Sequence, residues 1–390
     1  MPNEEPELSS RRRRSRLLLL QVIRDRGSIT RGDLSSATGL SRSTIAEGVR
    51  DLLAEKLISE RRADISNGRG RPSALLTPSA PPGILAGIDM GHTHVAVALA
   101  DSNGQVLAES RQAVEVDHHP HVALDAAAQL LRQCLAQSGR RDGDLIAAAA
   151  GIPGPLDATT GIVRSPAILS NWANVDTKRE LKARFGLPVC VDNDANMGAQ
   201  GELVFGSARG SEHFIYVQAS HGVGAGLILN GQSYRGTVGI SGEIGHIQLP
   251  GATGLCRCGN HGCLETVVSV REVARQLAQI GLAVSADDQH PSLSAMADDP
   301  TGRRVLTAAG RTLGRVLADV CNTLNPELLV IGGQLATGGA PVLQGVRESI
   351  DQYALPAISQ ATTVRSAQLG IRSEVMGAVA RAIEQAHTLV

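Results

Sequence analysis

Gly242-Glu243-Ile244-Gly245-His246, followed after nine residues by Cys256-Arg257-Cys258-Gly259-Asn260-His261-Gly262-Cys263-Leu264-Glu265, is the stretch on which the reading of this chain turns. His246-x9-Cys256-x-Cys258-x4-Cys263 supplies one imidazole and three thiolates, the set that a closed tetrahedral structural zinc site requires. Gly254, Gly259 and Gly262 let the backbone bend until the sulfurs converge. Buried free thiols are the bland alternative, since cysteine is common in cores. That alternative does not explain three thiols in so short a glycine-rich loop. The expectation is a structural Zn²⁺ held by His246, Cys256, Cys258 and Cys263.

Working outward, the 390 residues, 42% hydrophobic and 19% charged, describe ordinary globular material of two or three domains. The net charge of −1 conceals an asymmetry: residues 1–80 hold 15 Lys/Arg against 10 Asp/Glu, and the remainder 22 against 28. Such a split suggests an anionic partner for the front alone. Six cysteines are too few for a disulfide scaffold, and their crowding favours a reduced compartment with a local metal site. Arg11 to Arg14 followed by Leu17 to Leu20 superficially resembles a secretory leader. Charge returns at Arg24, however, and no small-residue cleavage site follows. With nothing approaching the ~20 apolar residues of a membrane span, a cytoplasmic location away from membranes is expected.

Three helices are predicted in the first sixty residues. Ser10 to Arg26 places Leu19, Leu20 and Ile23 on one side and is stopped by Gly27. The second begins at Thr30, with Asp33 as its capping-box partner, and ends at Gly39. The third, Ser41 to Glu55, puts Ile45, Val49, Leu52 and Leu53 on one stripe and leaves Arg42, Ser43, Thr44, Glu47 and Arg50 facing out. The turn Thr38-Gly39-Leu40-Ser41 suits a helix-turn-helix. Ser59 to Ser73, with Asn67-Gly68-Arg69-Gly70-Arg71-Pro72, is turn-rich and basic enough to serve as a wing. The expected domains are a winged helix-turn-helix over residues 1–77, a proline-bearing linker over 78–83 and a sensor over 84–390.

From Ile84 short apolar strands alternate with helices, which argues for an α/β sensor. Its first lobe is expected over about 84–197 with a terminal helix in 373–390, and its second over about 198–372. Asp89-x-Gly91-x-Thr93 lies between two strands and has the makeup of a phosphate turn: glycine admits the backbone, the hydroxyl donates, and the carboxylate can hold hydrated Mg²⁺. His221-Gly222-Val223-Gly224-Ala225-Gly226 and Ile331-Gly332-Gly333-Gln334 are its companions.

Gly151-Ile152-Pro153-Gly154-Pro155-Leu156-Asp157, Asp192-Asn193-Asp194-Ala195-Asn196, Gly242 to His246 and Cys256 to Glu265 together resemble, in order and spacing, the ROK family of repressors, open reading frames and kinases. Within it the chain is similar to regulators of the N-acetylglucosamine/xylose repressor type. The resemblance covers about residues 84 to 390. It implies an actin-like sugar-kinase (ASKHA) fold of two lobes around a cleft, preceded in the regulator branch by a winged helix. It also implies that Asn193, Asp194, Glu243, His246 and Glu265 hydrogen-bond sugar hydroxyls, work that suits carboxylates and amides. In kinase members the residue matching Asp194 is the general base. His246 would then present one ring nitrogen to zinc and the other to the sugar.

Kinase members usually carry glycine where this chain has His92, and threonine where it has His221. An imidazole at either place takes room that nucleotide phosphates need. Asp89, Gly91, Thr93, Gly222 and Gly224 therefore read as a degenerate nucleotide loop, and no catalytic residue is expected unless Asp194 is kinase-active. The expected function is a repressor of carbohydrate genes governed by a sugar, amino sugar or sugar phosphate. The rivals are an ATP-dependent sugar kinase with a DNA-binding domain, and a sensor gated by a protein partner. For DNA, Arg42, Ser43, Thr44 and Arg50 are candidates in the major groove. Arg69 and Arg71 are candidates in an A·T-rich minor groove. A homodimer or homotetramer would match a palindromic operator.

Overall fold

The computed structural model describes residues 15–16, 18–20, 22–23, 26–54, 57–62, 74–79, 83–157, 160–164, 168–282 and 293–388. The chain divides into two compact units, Met1–Gly83 with Ala386–Val390, and Ile84–Gln385.

In the first unit, Leu19, Leu20 and Ile23 are buried on helical backbone. Strand β1 (Ile29–Thr30) leads into helix α1 (Arg31–Thr38). Thr30 Oγ1 accepts from the Asp33 N–H at 3.2 Å and donates to the Asp33 carboxylate at 2.7 Å. This is a variant of the expected capping box, in which Asp33 answers the cap's hydroxyl. Gly39 closes α1 in the left-handed region at φ 68°, a conformation that favours glycine. Helix α2 (Arg42–Ala54) is capped by Ser41, whose hydroxyl accepts from Thr44 N at 3.2 Å. Leu34, Ile45, Val49 and Leu52 form the core between the helices.

Strands β2 (Ile58–Arg62) and β3 (Ala74–Pro78) complete an antiparallel sheet of order β1-β3-β2. This corrects the linker boundary, because Thr77 and Pro78 belong to the ladder, opposite Ser59 and Ile58. Ser79 N donates to Leu57 O at 2.9 Å, so Pro78 occupies a register whose missing N–H would face away from β2. On that side β1 reaches only Leu75 and Leu76, and proline costs no bond there. Arg69, Arg71 and the Arg11–Arg14 run lie outside the described residues.

The second unit is built on one strand pattern used twice. β4 (Ile84–Met90), β5 (His94–Asp101) and β6 (Val106–Ala113) form an antiparallel meander. β7 (Leu145–Ile152) and β10 (Val189–Asn193) extend it in parallel on the other side, giving the order β10-β7-β4-β5-β6. A small ribbon, β8 (Leu156–Asp157) with β9 (Ile162–Val163), follows β7. The second sheet repeats the plan: meander β11 (Phe214–Ala219), β12 (Val223–Leu229) and β13 (Gln232–Tyr234), then parallel β14 (Leu328–Gly332) and β15 (Thr363–Ser366). The β4–β5 and β11–β12 turns are therefore equivalent positions in the two lobes.

Helix α3 (Pro120–Ser138) covers the first sheet; α6 (Pro300–Leu324) and α7 (Ala340–Tyr353) pair beside the second. Between come α5 (Asp194–Val204) and α8 (Ser373–Thr388), α4 (Thr177–Phe185) having led into β10. Glycines set their approach: a Cβ on Gly87 would sit 2.5 Å from Val375 O, one on Gly226 2.4 Å from Ala195 O, and one on Gly377 1.6 Å from Met197 O. The expected lobe border between residues 197 and 198 is thus corrected, since it cuts α5, which continues unbroken and packs on β11 and β12.

Fully buried Glu202 ties this layer together. One oxygen accepts from Ser207 N (2.7 Å), Ser207 Oγ (2.9 Å) and Gln368 N (3.1 Å), the other from Leu369 N and Ser373 Oγ (both 2.9 Å). Among the described residues no helix is long and apolar enough to cross a membrane.

Candidate functional site

The ligand atoms of His246, Cys256, Cys258 and Cys263 all lie within 4.8 Å of one another. His246 Nδ1 is 3.5 Å from Cys256 Sγ, and Cys258 Sγ is 3.7 Å from Cys263 Sγ, with no disulfide. A tetrahedral ion with Zn–S of about 2.3 Å and Zn–N of about 2.0 Å demands S···S near ~3.8 Å and S···N near ~3.5 Å. The donor set fits. Gly259 (φ 93°) and Gly262 (φ 73°) make the left-handed turns, and a Cβ on Gly262 would strike Ala252 O at 2.4 Å. Gly254 is different: it packs against Thr266, whose Oγ1 would lie 3.1 Å from a Cβ. Burial, then the sulfurs of Cys258 and Cys256, push the Cys263 thiol up to about 12, a crowding that a cation relieves.

His246 links this cluster to the cleft between the two sheets. Its other nitrogen, Nε2, lies 3.7 Å from Glu243 Oε2. The cleft, about 910 Å³ including its open mouth, is lined by Asn193, Asp194, Glu243, His246 and Glu265 together, a size that suits a small ligand. Burial raises Asp194 to about 6, with Asp89 adding to the shift, His92 opposing it and the Ala195 N–H, at 2.8 Å, also opposing it. Burial, then Asp194 and Glu265, raises Glu243 to about 7. Desolvated acids of this kind accept hydrogen bonds from ligand hydroxyls strongly.

Asn193 is the cap of α5: its Oδ1 accepts from Ala195 N (2.9 Å) and Asn196 N (3.2 Å), and its Nδ2 donates to Gly154 O (2.9 Å). It therefore positions Asp194 and ties the Gly151-to-Asp157 loop to it. Asp192 is held by Arg235 at 2.6 Å and by Asn196 at 2.9 Å, behind the cleft.

The loop residues divide. Gly91, Thr93, Gly222 and Gly224 all line the cleft, Gly224 from strand β12, where it pairs with Gln218, and not from a loop. A Cβ on Gly224 would make an ordinary contact, 3.6 Å from Ala195 Cβ, so the close approach of α5 rests on Gly226 instead. Asp89 is buried, and its Oδ2 meets His94 Nε2 at 2.8 Å. The His94 ring covers Gly91, where a Cβ would fall 2.2 Å from Cε1. The phosphate turn is thus already occupied by protein.

His94 and Arg257 line the cleft without having been singled out from sequence, and Asp117 stands beside them. His92 Nδ1 donates to Asp117 Oδ1 at 2.6 Å, and Arg257 Nη1 lies 3.7 Å from Asp117 Oδ2. Burial works against the Asp117 charge, but His92 and Arg257 hold its carboxyl below the usual range. Arg257 Nε also donates to Glu265 Oε1 at 2.9 Å, and Val223 N to Glu265 Oε2 at 3.2 Å. Arg257 stands between two cysteines of the His/Cys cluster, a signal available in the motif. Asp117 carries no such signal.

In the first unit, Arg42, Ser43, Glu47 and Arg50 are exposed along α2 and Thr44 is half-buried, while Ile45, Gly48 and Val49 face the core. The four candidate DNA residues described thus share the outer side of one helix.

The sequence profile described as the ROK family matches residues 85–385. The chain is 30% identical over 367 residues to a xylose repressor of Bacillus spizizenii, covering 94% of both proteins. It is 31% identical over 306 residues to a glucokinase of Halalkalibacterium halodurans, covering 75% of this chain and 92% of the kinase. A crystal structure of a ROK family transcriptional regulator, homologous to the Escherichia coli Mlc protein, superposes with a TM-score of 0.74 at 27% identity, over 95% of this chain and 94% of that one.

Proposed function

Because the chain belongs to the ROK family, we propose that it is a DNA-binding transcriptional repressor of carbohydrate genes, released or retained according to a sugar ligand in the cleft. The observation that carries this reading is the extent of similarity: repressor relatives match from end to end, whereas the glucokinase covers 75% of the chain. The helix α2, with Arg42, Ser43, Thr44 and Arg50 outward, enters the major groove; Arg69 and Arg71 follow in the minor groove; a two-fold oligomer reads a palindromic operator.

In the cleft, Asp194 and Glu243 accept from the ligand's hydroxyls, Asn193 aims Asp194, and Glu265 is oriented by Arg257. A zinc ion on His246, Cys256, Cys258 and Cys263 supplies no reaction step; it fixes the loop and leaves His246 Nε2 facing the ligand.

Sugar phosphorylation is the second reading, favoured by Asp194 at about 6, a value suited to a general base. His94 seated on Asp89 and Gly91 opposes it, because those groups would otherwise serve the nucleotide and its Mg²⁺. The deciding experiment pairs anisotropy of labelled operator DNA, selected from genomic fragments, with a sugar panel and an ATP-coupled assay. Repression predicts a change in DNA affinity of about 5 to 150-fold on adding sugar, lost in Asp194→Asn. ATP-dependent turnover that Asp194→Asn abolishes, without any effect of sugar on DNA affinity, would establish the kinase instead.

A further inference from the structure

Two residues behind the cleft join its two acids. Asp192, buried near the end of β10, accepts on Oδ1 from Asn193 N at 2.8 Å and from Asn196 Nδ2 at 2.9 Å. Its Oδ2 accepts from Arg235 Nε at 2.8 Å and Nη2 at 2.6 Å. Arg235 follows β13 in the other sheet, and both residues lie outside the cleft lining, so neither touches a ligand held there.

From each end of this ion pair the chain runs directly to a ligand-reading acid. Asp194 is two residues beyond Asp192, across the α5 cap at Asn193. On the other side the segment from Arg235 doubles back on itself: Ser241 N donates to Arg235 O at 3.1 Å, and Ser241 Oγ to Tyr234 O at 2.5 Å. Gly236, Gly239 and Gly242 make its turns, with φ of 67°, 85° and 89°. Gly242 O then accepts from Ala225 N at 2.8 Å, and a Cβ on Gly242 would strike Ala225 O at 1.9 Å, so Glu243 follows a point pressed against β12. Arg235 thus begins a closed loop whose far end delivers Glu243, while its guanidinium holds the strand that delivers Asp194.

An ion pair with a buried carboxylate is a poor way to gain stability, because desolvating the charge costs about as much as the attraction returns. What it does supply is geometry: two donors on one oxygen fix distance and direction together. Groups that read a ligand have to be held by outer contacts of this kind to within a fraction of an ångström. We infer that Arg235 is a positioning residue for the cleft, its grip on Asp192 setting the separation of Asp194 and Glu243 across the two sheets. The inference rests on the reading of the cleft as a sugar pocket and adds a residue on which the affinity of that pocket depends.

Arg235→Lys keeps the charge, and with it the fold, but puts one donor where there were two. Calorimetry on the full-length chain tests D-xylose, D-glucose and N-acetylglucosamine. A sugar that binds the wild type should bind Arg235→Lys about threefold or more weaker, and Arg235→Met about tenfold or more weaker. Arg235→Met leaves Asp192 charged and unpaired, so the lysine variant decides the matter should the methionine variant unfold. Destabilisation alone would lower the melting temperature and leave the sugar Kd of the folded protein where it was.

A double-mutant cycle supplies the second readout. In Glu243→Gln, whose hydrogen bond to the sugar is already weakened, Arg235→Lys should cost much less affinity than it does in the wild type. Unchanged sugar affinity in Arg235→Lys, or a loss that multiplies in full onto that of Glu243→Gln, overturns the inference while leaving sugar sensing intact. Wild-type protein that binds none of the three sugars overturns the reading of the cleft, and the inference with it.

Discussion

Replacing Glu202 by glutamine changes one atom and should destabilise the second unit measurably. The carboxylate accepts five hydrogen bonds, three of them from the backbone N–H groups of Ser207, Gln368 and Leu369. An amide has one oxygen. Its better orientation keeps the oxygen toward Ser207 and Gln368 and turns the NH₂ toward Leu369 and Ser373. Ser373 Oγ can adapt, because Gly370 O, at 2.9 Å, is a second acceptor to which it can turn its one proton, leaving it free to accept from the amide.

The Leu369 N–H cannot adapt; it is orphaned. One buried unpaired donor costs about 1–3 kcal/mol, and weakening the remaining charge-assisted bonds brings the loss to about 3 kcal/mol. With an unfolding entropy near 2.1 cal/mol/K per residue over roughly 300 residues, the melting temperature should fall about 5 °C. Glu202→Ala orphans all three backbone donors and leaves a cavity, so it should cost about twice as much. Scanning calorimetry reads both. A Glu202→Gln transition within about 1 °C of wild type, or equal losses for both variants, would refute this account of the clamp.

Purified protein should carry one zinc per chain by atomic emission, and Cys258→Ser should lose it and weaken the response to sugar through a displaced His246; full response in a zinc-free variant would separate the two. Arg42→Ala and Arg50→Ala should each weaken operator binding and, where the contact is a phosphate, flatten the log–log salt dependence by about 0.9; an unchanged slope and affinity would remove α2 from the interface. Burial, with Asp89 adding to it, raises Glu374 to about 8 from the ordinary carboxyl value of 4.5, beside Tyr216, whose hydroxyl donates to it at 2.7 Å. An acid raised on folding holds a proton that the unfolded chain has lost, so stability should fall as pH rises from about 4.5 to about 8. Glu374→Gln should flatten urea midpoints across that window, and a parallel decline in the variant would show that other groups cause it.

Much of the local architecture was legible because its causes are local. The Thr30 and Gly39 caps, the stripe of Ile45, Val49 and Leu52, and the spacing of His246, Cys256, Cys258 and Cys263 each act within a few turns of chain. Their geometry appears in the structure as short-range bonds and a single cluster. Asn193 was read for its amide alone, and the structure gives that amide the further work of capping α5 and holding Gly154. Gly224 was read with a glycine loop, yet it lies in a strand ladder opposite Gln218, a pairing with another segment that its own neighbours do not encode. The Thr77–Pro78 boundary failed for a similar reason, since whether proline breaks a ladder depends on which neighbour its missing N–H would have faced.

By itself, then, the sequence determined the helices with their caps, the metal-set residues and the order of motifs that place the chain in its family. These depend on propensity, periodicity and spacing, which neighbouring residues carry. Tertiary structure alone decided that His94 sits on Asp89, that Asp117 bridges His92 and Arg257, and that Glu202 gathers donors from residues more than a hundred and sixty positions away. Such pairings are chosen by packing of distant segments, and no local pattern encodes which buried charge will meet which partner.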